Sequence, residues 1–486
     1  MRNKHLYITL LAVLGFYTEM AGQDAARQAP RLVVNVMIDQ LRSDYLEAFV
    51  PLYGENGFKR LLTQGAVYEN ASYPFAPTDR ASAISSVMTG TTPYYHGIIG
   101  RQWLNRETLR PINCTDDPKQ LGTPVPTQLS TSTIGDEQKV ATDGKAKIFS
   151  IAPYCDAAIL AAGHAADGAI WEDETSGRWT SSSYYSNESP NWLLSFNELK
   201  RPKRRIRSKK NAVKPSKNDD ITALASLCVE QQALGDDEVT DLLCLTYHVG
   251  QSTSATMAEY RQEIQDTYVR LDQNLDSLLS RIERKIGADR VLFMVTGTGY
   301  SDEPSIDYSK YRIPTGTFYI NRTANLLNMY LGALWGQARY VEAYFGNQIY
   351  FNHQLLESKR ITLTEISQRA QEFISQMAGV RNTYTGMQLL SGTNEQTARL
   401  RNGFSLERSG DILVEVAPGW HICNEDTPQA DYLSQLSATP FPIILYGANV
   451  EARRVSTPVT IDRIAPTLAR SIRIRAPNAC PSEPLF

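Results

Sequence analysis

Long apolar runs along the chain predict buried strands. The first run, 31–39, is apolar apart from its terminal charges and Asn35, and it ends in the carboxylate of Asp39. Similar runs lie at 241–247, 289–299 and 441–447. Uninterrupted apolar runs of this length are typical of strands that are buried on both faces of a parallel sheet.

Helical patterns separate these strands, at 223–232, 258–286 and 363–377. Alternating strands and helices predict an α/β fold with a doubly wound, mostly parallel sheet and helices on both faces. Polar stretches interrupt this alternation. We expect residues 101–140, 172–220 and about 305–400 to be insertions that form a cap over the carboxyl ends of the strands.

The N-terminus has the pattern of a secretory signal peptide. A short basic stretch precedes an apolar run over 6–17, which is too short for a comfortable membrane span, and small residues follow. We therefore expect a signal peptide at 1–22, a linker at 23–30 and one domain at 31–486. Because the first cysteine is Cys114, a lipoprotein is not expected. The mature protein is predicted to be exported to the periplasm or the cell exterior.

The composition excludes several classes of protein. Hydrophobic residues make up 42% and charged residues 21% of the 486, which excludes wholesale disorder and a polytopic membrane protein. The formal charge of −3 gives no general reason to expect nucleic-acid binding. The chain has six histidines, a small number for a zinc-dependent hydrolase of this length.

One segment is strongly basic. Residues 200–217 contain ten basic side chains and no acidic one. A solvated surface loop is the simpler interpretation, and a docking patch for an envelope protein or an anionic polymer is the alternative. The candidate contact residues are Lys200, Arg201, Lys203, Arg204, Arg205, Arg207, Lys209 and Lys210.

Several motifs together resemble the alkaline phosphatase superfamily, in its secreted phosphatase and nucleotide pyrophosphatase/phosphodiesterase branch. They occur in the family's order at 36–46, 57–62, 88–100, 162–164, 266–272, 408–411 and 446–447. The resemblance covers essentially the whole chain after residue 31. It implies two zinc ions held by Asp and His ligands, and a Thr or Ser nucleophile that receives the phosphoryl group.

The positions that carry this chemistry are changed in the present sequence. The resemblance places Arg80 at the position of the nucleophile. Thr78 and Ser82, two residues to either side, carry hydroxyls that are the alternative candidates for the nucleophile. Positions that contact phosphate in the family are occupied by Arg101, Tyr154 and Asp156.

The implied metal ligands are also replaced. Asp39 is the one ligand that is retained. The remaining ligand positions correspond to Tyr247, Gln251, Thr298, Gly299, Asp431 and Pro440. One carboxylate does not hold zinc, which needs three or four ligands, so no cofactor is expected. A rebuilt site from Asp39, His248 and Asp431 is the weaker alternative.

Two interpretations are open for Arg80 and Arg101, which the resemblance places in the active-site pocket. Arg80 and Arg101 can bind phosphate, sulfate or carboxylate through their guanidinium groups. Alternatively, each arginine pairs with an acid left without its metal, such as Arg80 with Asp39, and fills the cavity. The second interpretation is favoured because a buried Asp39 without metal or partner is costly.

The sequence therefore predicts an exported pseudoenzyme with an alkaline phosphatase-like fold, acting as a binding or scaffold protein of the cell envelope. The alternative is a hydrolase of phosphate or sulfate esters with a rebuilt active site.

Overall fold

A computed structural model describes residues 28–117, 122–200, 216–250, 257–301, 311–426, 432–433 and 439–486. The strands are β1 (Leu32–Asp39), β2 (Ala66–Ser72), β3 (Gln102–Asn105), β4 (Arg110–Asn113), β5 (Ile148–Ala152), β6 (Gly168–Glu172), β7 (Trp179–Ser181), β8 (Asp241–His248), β9 (Val291–Gly297), β10 (Gly316–Tyr319), β11 (Val341–Phe345), β12 (Gln348–Phe351), β13 (Val380–Thr385), β14 (Ile412–Val416), β15 (Trp420–Cys423), β16 (Tyr432–Leu433), β17 (Phe441–Gly447), β18 (Arg453–Val455) and β19 (Val459–Thr460).

Fifteen α-helices lie among the described residues. They are Ser43–Ala48, Phe58–Gln64, Arg80–Thr89, Pro93–His96, Ile134–Ala141, Cys155–Ala162, Asn191–Lys200, Lys217–Gln231, Met257–Ile286, Ile320–Trp335, His353–Lys359, Leu363–Ile374, Gly386–Ser391, Glu395–Asn402 and Ile464–Ser471. Short 3-10 turns occupy Val50–Leu52, Ala288–Arg290 and Ile461–Arg463. The three helical patterns found in the sequence all correspond to observed helices.

The first apolar run forms the middle of a ten-stranded sheet. The strand order is β18-β2-β17-β9-β1-β8-β5-β6-β7, and β19 pairs with β2. All eight residues of β1 are buried. Apolar side chains of β1 alternate between two hydrophobic clusters, with Val33 and Met37 in one and Val34 and Ile38 in the other. The predicted α/β fold with a mostly parallel sheet is confirmed.

The predicted strand at 441–447 differs from the others in direction. It forms β17, which is antiparallel to both of its neighbours, β2 and β9. An apolar run is compatible with either direction, because it reports burial on both faces and not the direction of the neighbouring strands.

The three predicted insertions differ in where they lie. The segment 101–140 contains the β3–β4 hairpin, whereas part of 172–220 forms β7, which pairs with β6 at the edge of the central sheet. Residues 316–423 form a peripheral lobe with an apolar cluster of its own. Its sheets extend past residue 400, because β14 pairs with β12 and β13, and β15 pairs with β10.

Two of the family-like motifs, 57–62 and 266–272, pack closely against each other through their backbones. The buried carboxylate of Asp272 accepts hydrogen bonds from the backbone N–H groups of Gly54 and Phe58, at 2.8 and 2.7 Å. A Cβ at Gly57 would lie 2.2 Å from this carboxylate, so position 57 requires glycine. These motifs therefore anchor the helix Phe58–Gln64 to the long helix Met257–Ile286.

None of the helices among the described residues is long and apolar enough to cross a membrane. The predicted signal peptide and most of the predicted linker lie outside the described residues.

Candidate functional site

The site lies at the carboxyl end of β1, between β8 and β9. The parallel register pairs Asp39 with His248 on β8, and Ile38 with Gly297 on β9. Thr298 follows directly after β9. Polar side chains at the carboxyl ends of adjacent parallel strands meet at one edge of the sheet, which is where α/β proteins bind their ligands.

Asp39 is fully buried, and both of its carboxylate oxygens have partners. Oδ1 accepts hydrogen bonds from the hydroxyls of Thr298, at 3.0 Å, and Tyr300, at 2.8 Å. Oδ2 lies 2.9 Å from Nδ1 of His248 and 3.6 Å from Nη1 of Arg80. The retained carboxylate is therefore surrounded by donors from the protein itself.

Arg80 is the first residue of the helix Arg80–Thr89, and its side chain is only 9% exposed. Its main partner is Asp156, which receives hydrogen bonds from Nη2 at 2.9 Å to each carboxylate oxygen and from Nε at 3.2 Å. A cation at a helix N-terminus faces the positive end of the helix dipole. The carboxylates of Asp156 and Asp39 compensate for that unfavourable position.

Aromatic contacts complete the surroundings of Arg80. Its guanidinium carbon lies 3.8 Å from the ring centroid of Tyr154, a cation–π contact. The ring of Tyr154 also meets the ring of His248 edge to face, with centroids 5.8 Å apart. Arg80, Tyr154, Asp156, His248 and Asp39 thus form one connected cluster.

The pKa of Asp39 reflects these contacts. Burial raises it, but the neighbouring donors lower it by more, to about 2. The lowering comes from the hydrogen bond and charge of His248, followed by the charge of Arg80 and the hydroxyl of Tyr300. For Arg80, burial lowers the pKa, whereas Asp156 and Asp39 raise it above its ordinary value. Both groups are therefore ionised at neutral pH.

Thr78, Ser82 and Arg101 have hydrogen-bond or ion-pair partners outside the cluster around Asp39. Ser82 is buried and forms a capping box with Asp79, whose carboxylate lies 3.0 Å from the Ser82 hydroxyl. The hydroxyl of Thr78 donates to the carbonyl of Phe75 at 3.4 Å. The side chain of Arg101 is 59% exposed, and its Nε lies 3.8 Å from Asp79. Arg101 is thus a rim residue, whereas Arg80 is buried.

The other positions that the resemblance assigns to metal ligands have structural roles where the structure describes them. Tyr247 lies in the core, where its hydroxyl is 3.0 Å from that of Thr222. Gly299 has a positive φ of 74°, and a Cβ there would contact Tyr73. Pro440 is exposed, and its carbonyl accepts a hydrogen bond from the Ser43 N–H. Gln251 and Asp431 lie outside the described residues.

The other histidines have structural partners. His96 is fully buried and lies 2.8 Å from the Ser86 hydroxyl, and burial together with the charge of Arg408 lowers its pKa to about 3. His164 is 2.9 Å from Asp136. His421 lies on β15 with Nε2 2.8 Å from the Thr317 hydroxyl.

The surroundings of Asp39 do not fit the pair of zinc ions that the resemblance implies. Each carboxylate oxygen already accepts from protein donors, and the guanidinium of Arg80 brings a positive charge to the place where a metal cation would bind. Zinc also needs three or four N, O or S ligands. Within the described part of the chain, no group of three or more His, Cys, Asp or Glu side chains is arranged to hold a metal.

A cavity of about 700 Å³ adjoins the cluster. It lies beyond the carboxyl ends of β5, β6 and β8, and Tyr154 and His248 belong to its walls. The Lys217 ammonium, also in the wall, pairs with Glu172 at 2.8 Å. His248 Nε2 has no hydrogen-bond partner among the described residues.

The order of the sequence motifs and the fold together define a protein of the alkaline phosphatase superfamily. The sequence profile of the family described as type I phosphodiesterase / nucleotide pyrophosphatase matches residues 33–439, so the chain belongs to this family. The predicted resemblance is confirmed.

Known proteins align along nearly the full chain. Alkaline phosphatase PafA of Elizabethkingia meningoseptica is 23% identical over 94% of this chain and 94% of its own length. Alkaline phosphatase PhoV of Synechococcus elongatus is 25% identical, covering 92% of this chain and 91% of the relative. The crystal structure of PafA superimposes with a TM-score of 0.79 at 24% identity, covering 95% of this chain and 99% of that structure. This structural likeness shows the fold.

Three side chains of the cluster were not predicted as partners of Asp39 or Arg80. Tyr154 and Asp156 were predicted only as residues at phosphate-contacting positions, and Tyr300 was not singled out. The sequence did contain one indication of this contact. Residue 80 is an arginine and residue 156 is an aspartate, at two positions that the resemblance places in the same site. Opposite charges at two positions of one site indicate an ion pair.

Replacing Arg80 with methionine should strongly destabilise the protein. The substitution leaves Asp39 and Asp156 without their shared cation, and breaking a buried ion pair typically costs about 3–5 kcal/mol of unfolding free energy. Urea unfolding of Arg80→Met, with Arg101→Met as the exposed control, measures this effect. The control should lose less than about 0.5 kcal/mol. Equal losses in both variants would contradict the assigned network.

Acid should remove the contribution of Asp39 to stability. Its pKa in the folded protein is about 2 against an ordinary 3.8, so its contribution is complete above about pH 4 and is lost as the pH falls through 2. The shift corresponds to about 2 kcal/mol. Urea unfolding between about pH 5 and pH 2 should therefore show a steeper loss in wild type than in Asp39→Asn. Asp289→Asn, at an exposed position, should retain the wild-type slope.

Proposed function

We propose that this chain is a non-hydrolytic member of its family, exported from the cell and acting as a binding or scaffold protein of the cell envelope. The observation that carries the proposal is the position of Arg80. It stands where the family resemblance places the nucleophile, and it is held by Asp156, Tyr154 and Asp39.

The chemistry of arginine supports this proposal. A guanidinium remains protonated throughout the physiological pH range and has no lone pair with which to attack phosphorus. In this cluster it occupies the space beside Asp39 and neutralises the carboxylate there. The site thus contains a fixed internal cation in place of a reactive hydroxyl.

The alternative is an ester hydrolase with a rebuilt site. The names of the relatives, alkaline phosphatases PafA and PhoV, favour this alternative. The geometry of the two hydroxyls favours it less. Ser82 is committed to the capping box with Asp79, and Thr78 has a carbonyl as its hydrogen-bond partner rather than a basic side chain. Thr78 is therefore the residue to test.

Purified protein should not hydrolyse aryl phosphate monoesters, aryl phosphate diesters or aryl sulfates above the uncatalysed background. We expect no hydrolysis because an arginine occupies the nucleophile position and because Asp39 already accepts hydrogen bonds from protein donors. The assay is run with added zinc, and zinc content is measured in parallel, with PafA as the positive control. Turnover above background together with stoichiometric zinc would overturn the proposal. In that case, loss of turnover in Thr78→Ala would identify the rebuilt nucleophile.

A partner surface is proposed at the basic segment. Its two ends lie within the described residues, where Lys200 pairs with Asp220 and Lys217 pairs with Glu172. These ion pairs tether the ends of the segment to the central domain. The seven other candidate contact residues, Arg201, Lys203, Arg204, Arg205, Arg207, Lys209 and Lys210, lie outside the described residues. Their concentration of positive charge supports contact with an anionic surface of the envelope.

Changing these seven basic residues to glutamine should weaken binding to vesicles that contain anionic lipid by at least about tenfold. Co-sedimentation at two salt concentrations measures the effect, because contacts with an anionic surface weaken as salt rises. Vesicles of neutral lipid serve as the control and should bind neither protein. Undiminished binding of the glutamine variant would exclude the segment as the contact surface.

A further inference from the structure

His164 lies outside the Asp39 cluster, and both nitrogens of its ring face hydrogen-bond acceptors. Nδ1 lies 2.9 Å from Oδ2 of Asp136, and Nε2 lies 3.0 Å from the backbone carbonyl oxygen of Leu129. An ionised carboxylate and a carbonyl group accept hydrogen bonds but have none to donate. A neutral imidazole has one N–H group and satisfies only one of the two acceptors, whereas an imidazolium cation satisfies both. The geometry therefore fits the protonated form of His164.

The carboxylate of Asp136 is fixed in place and ionised. Its Oδ1 accepts hydrogen bonds from the backbone N–H groups of His164 and Ala165, each at 2.8 Å. Its Oδ2 accepts from the backbone N–H of Thr133 at 2.8 Å, as part of the capping box of the helix Ile134–Ala141. Burial raises the pKa of Asp136, but His164 and the backbone donors lower it by more, to below its ordinary value. Asp136 is thus a constant negative charge beside His164.

The other ionisable groups on the elements around His164 do not change charge near neutral pH. The hydroxyl of Tyr184 donates to the carbonyl of His164 at 3.2 Å, and Tyr185 lies beside it. Burial raises the pKa of both phenols above the ordinary value of 10. The charged residues of the two adjoining helices are held in ion pairs of their own, which are Lys139 with Asp167, Glu137 with Arg475, and Asp156 with Arg80. His164 is therefore the group that titrates here.

The carbonyl of Leu129 belongs to a segment, residues 125–133, that also contacts the peripheral lobe. Nη1 of Arg408, from the lobe, donates to the neighbouring carbonyl of Gln128 at 2.9 Å. The segment contains no ionisable side chain of its own. Any response of the segment to pH near neutrality therefore has to come from the groups that hold it, of which His164 is one.

We propose that His164, Asp136 and the carbonyl of Leu129 form a pH-sensitive clamp, which holds the segment 125–133 while His164 is protonated and releases it when the proton is lost. The contact with Leu129 is the one given up, because the charged carboxylate is the stronger acceptor and retains the Nδ1 proton. The lone pair of Nε2 then faces the carbonyl oxygen. Release weakens the support of the carbonyl that binds Arg408, so the lobe is held more firmly at acidic than at alkaline pH. The proposal does not depend on the function proposed for the Asp39 cluster.

The pKa of His164 has the direction that such a clamp requires. The hydrogen bond to Asp136 raises the pKa, burial lowers it, and the charge of Asp136 and the carbonyl of Leu129 raise it further. A histidine whose pKa is raised by folding contributes stability that is complete below its unfolded value of about 6.5 and is lost as the pH rises through the folded value. The side chain is 33% exposed, so its proton exchanges with solvent.

Hydrogen exchange of the full chain, followed by mass spectrometry at about pH 6 and pH 9, tests the clamp. Protection factors are taken relative to the intrinsic exchange rate at each pH. Protection of peptides that cover 125–133 should be at least about fivefold lower at the higher pH, the factor that corresponds to one ordinary hydrogen bond. Peptides from β5 serve as the internal reference and should retain their protection.

Two variants separate His164 from other causes of a pH effect. His164→Gln does not titrate and donates to one acceptor at a time, so it should show the lower protection of 125–133 at both pH values. His421→Gln is the matched control. Its ring faces the hydroxyl of Thr317, which both donates and accepts, so this variant should keep the wild-type pH response.

A second measurement needs no variant to be stable. In the wild type, the ring of His164 should titrate above the ordinary histidine value of about 6.5 in nuclear magnetic resonance spectra of protein with isotope-labelled histidine. Protection of 125–133 that is the same at both pH values in the wild type would overturn the proposal. Titration of His164 at or below 6.5, or equal protection of wild type and His164→Gln at about pH 6, would overturn it as well.

Discussion

The buried carboxylate of Asp39 is the constraint on which the arrangement of this site depends. A carboxylate without solvent contact is tolerated only when hydrogen bonds and opposite charge replace its hydration. Here Thr298 and Tyr300 bind one oxygen, while His248 and Arg80 face the other. Because these groups come from the ends of β1, β8 and β9 and from the helix Arg80–Thr89, their contacts also join the central strands to that helix.

The placement of a cation at residue 80 is explained by this constraint. The first turn of a helix favours negative charge, so a buried arginine there needs more than one counter-charge. Asp156 supplies the bidentate partner and Asp39 a second carboxylate, while Tyr154 covers the guanidinium face. The result is a family fold in which an internal ion-pair network surrounds Asp39. A cavity suitable for a ligand lies beside this network.

The sequence allowed the fold and the composition of the site to be predicted, but not its contacts. Apolar runs located the main strands, and ordered motifs led to the superfamily. The same motifs led to the prediction that Arg80 stands at the nucleophile position and that Asp39 is a retained ligand. They did not reveal that Asp156 would bind Arg80, or that Tyr300 would donate to Asp39. Residues 80 and 156 are far apart in the chain, and only the packing of the helices Arg80–Thr89 and Cys155–Ala162 brings them together.

The sequence by itself therefore determined the α/β class and the family, because these depend on local periodicity and on the order of motifs. Tertiary structure decided the direction of β17, the inward position of Arg80 and the outward position of Arg101. Strand direction depends on which neighbours a strand meets, and the orientation of each arginine depends on carboxylates supplied by other segments. These are properties of long-range packing, which no local pattern of residues encodes.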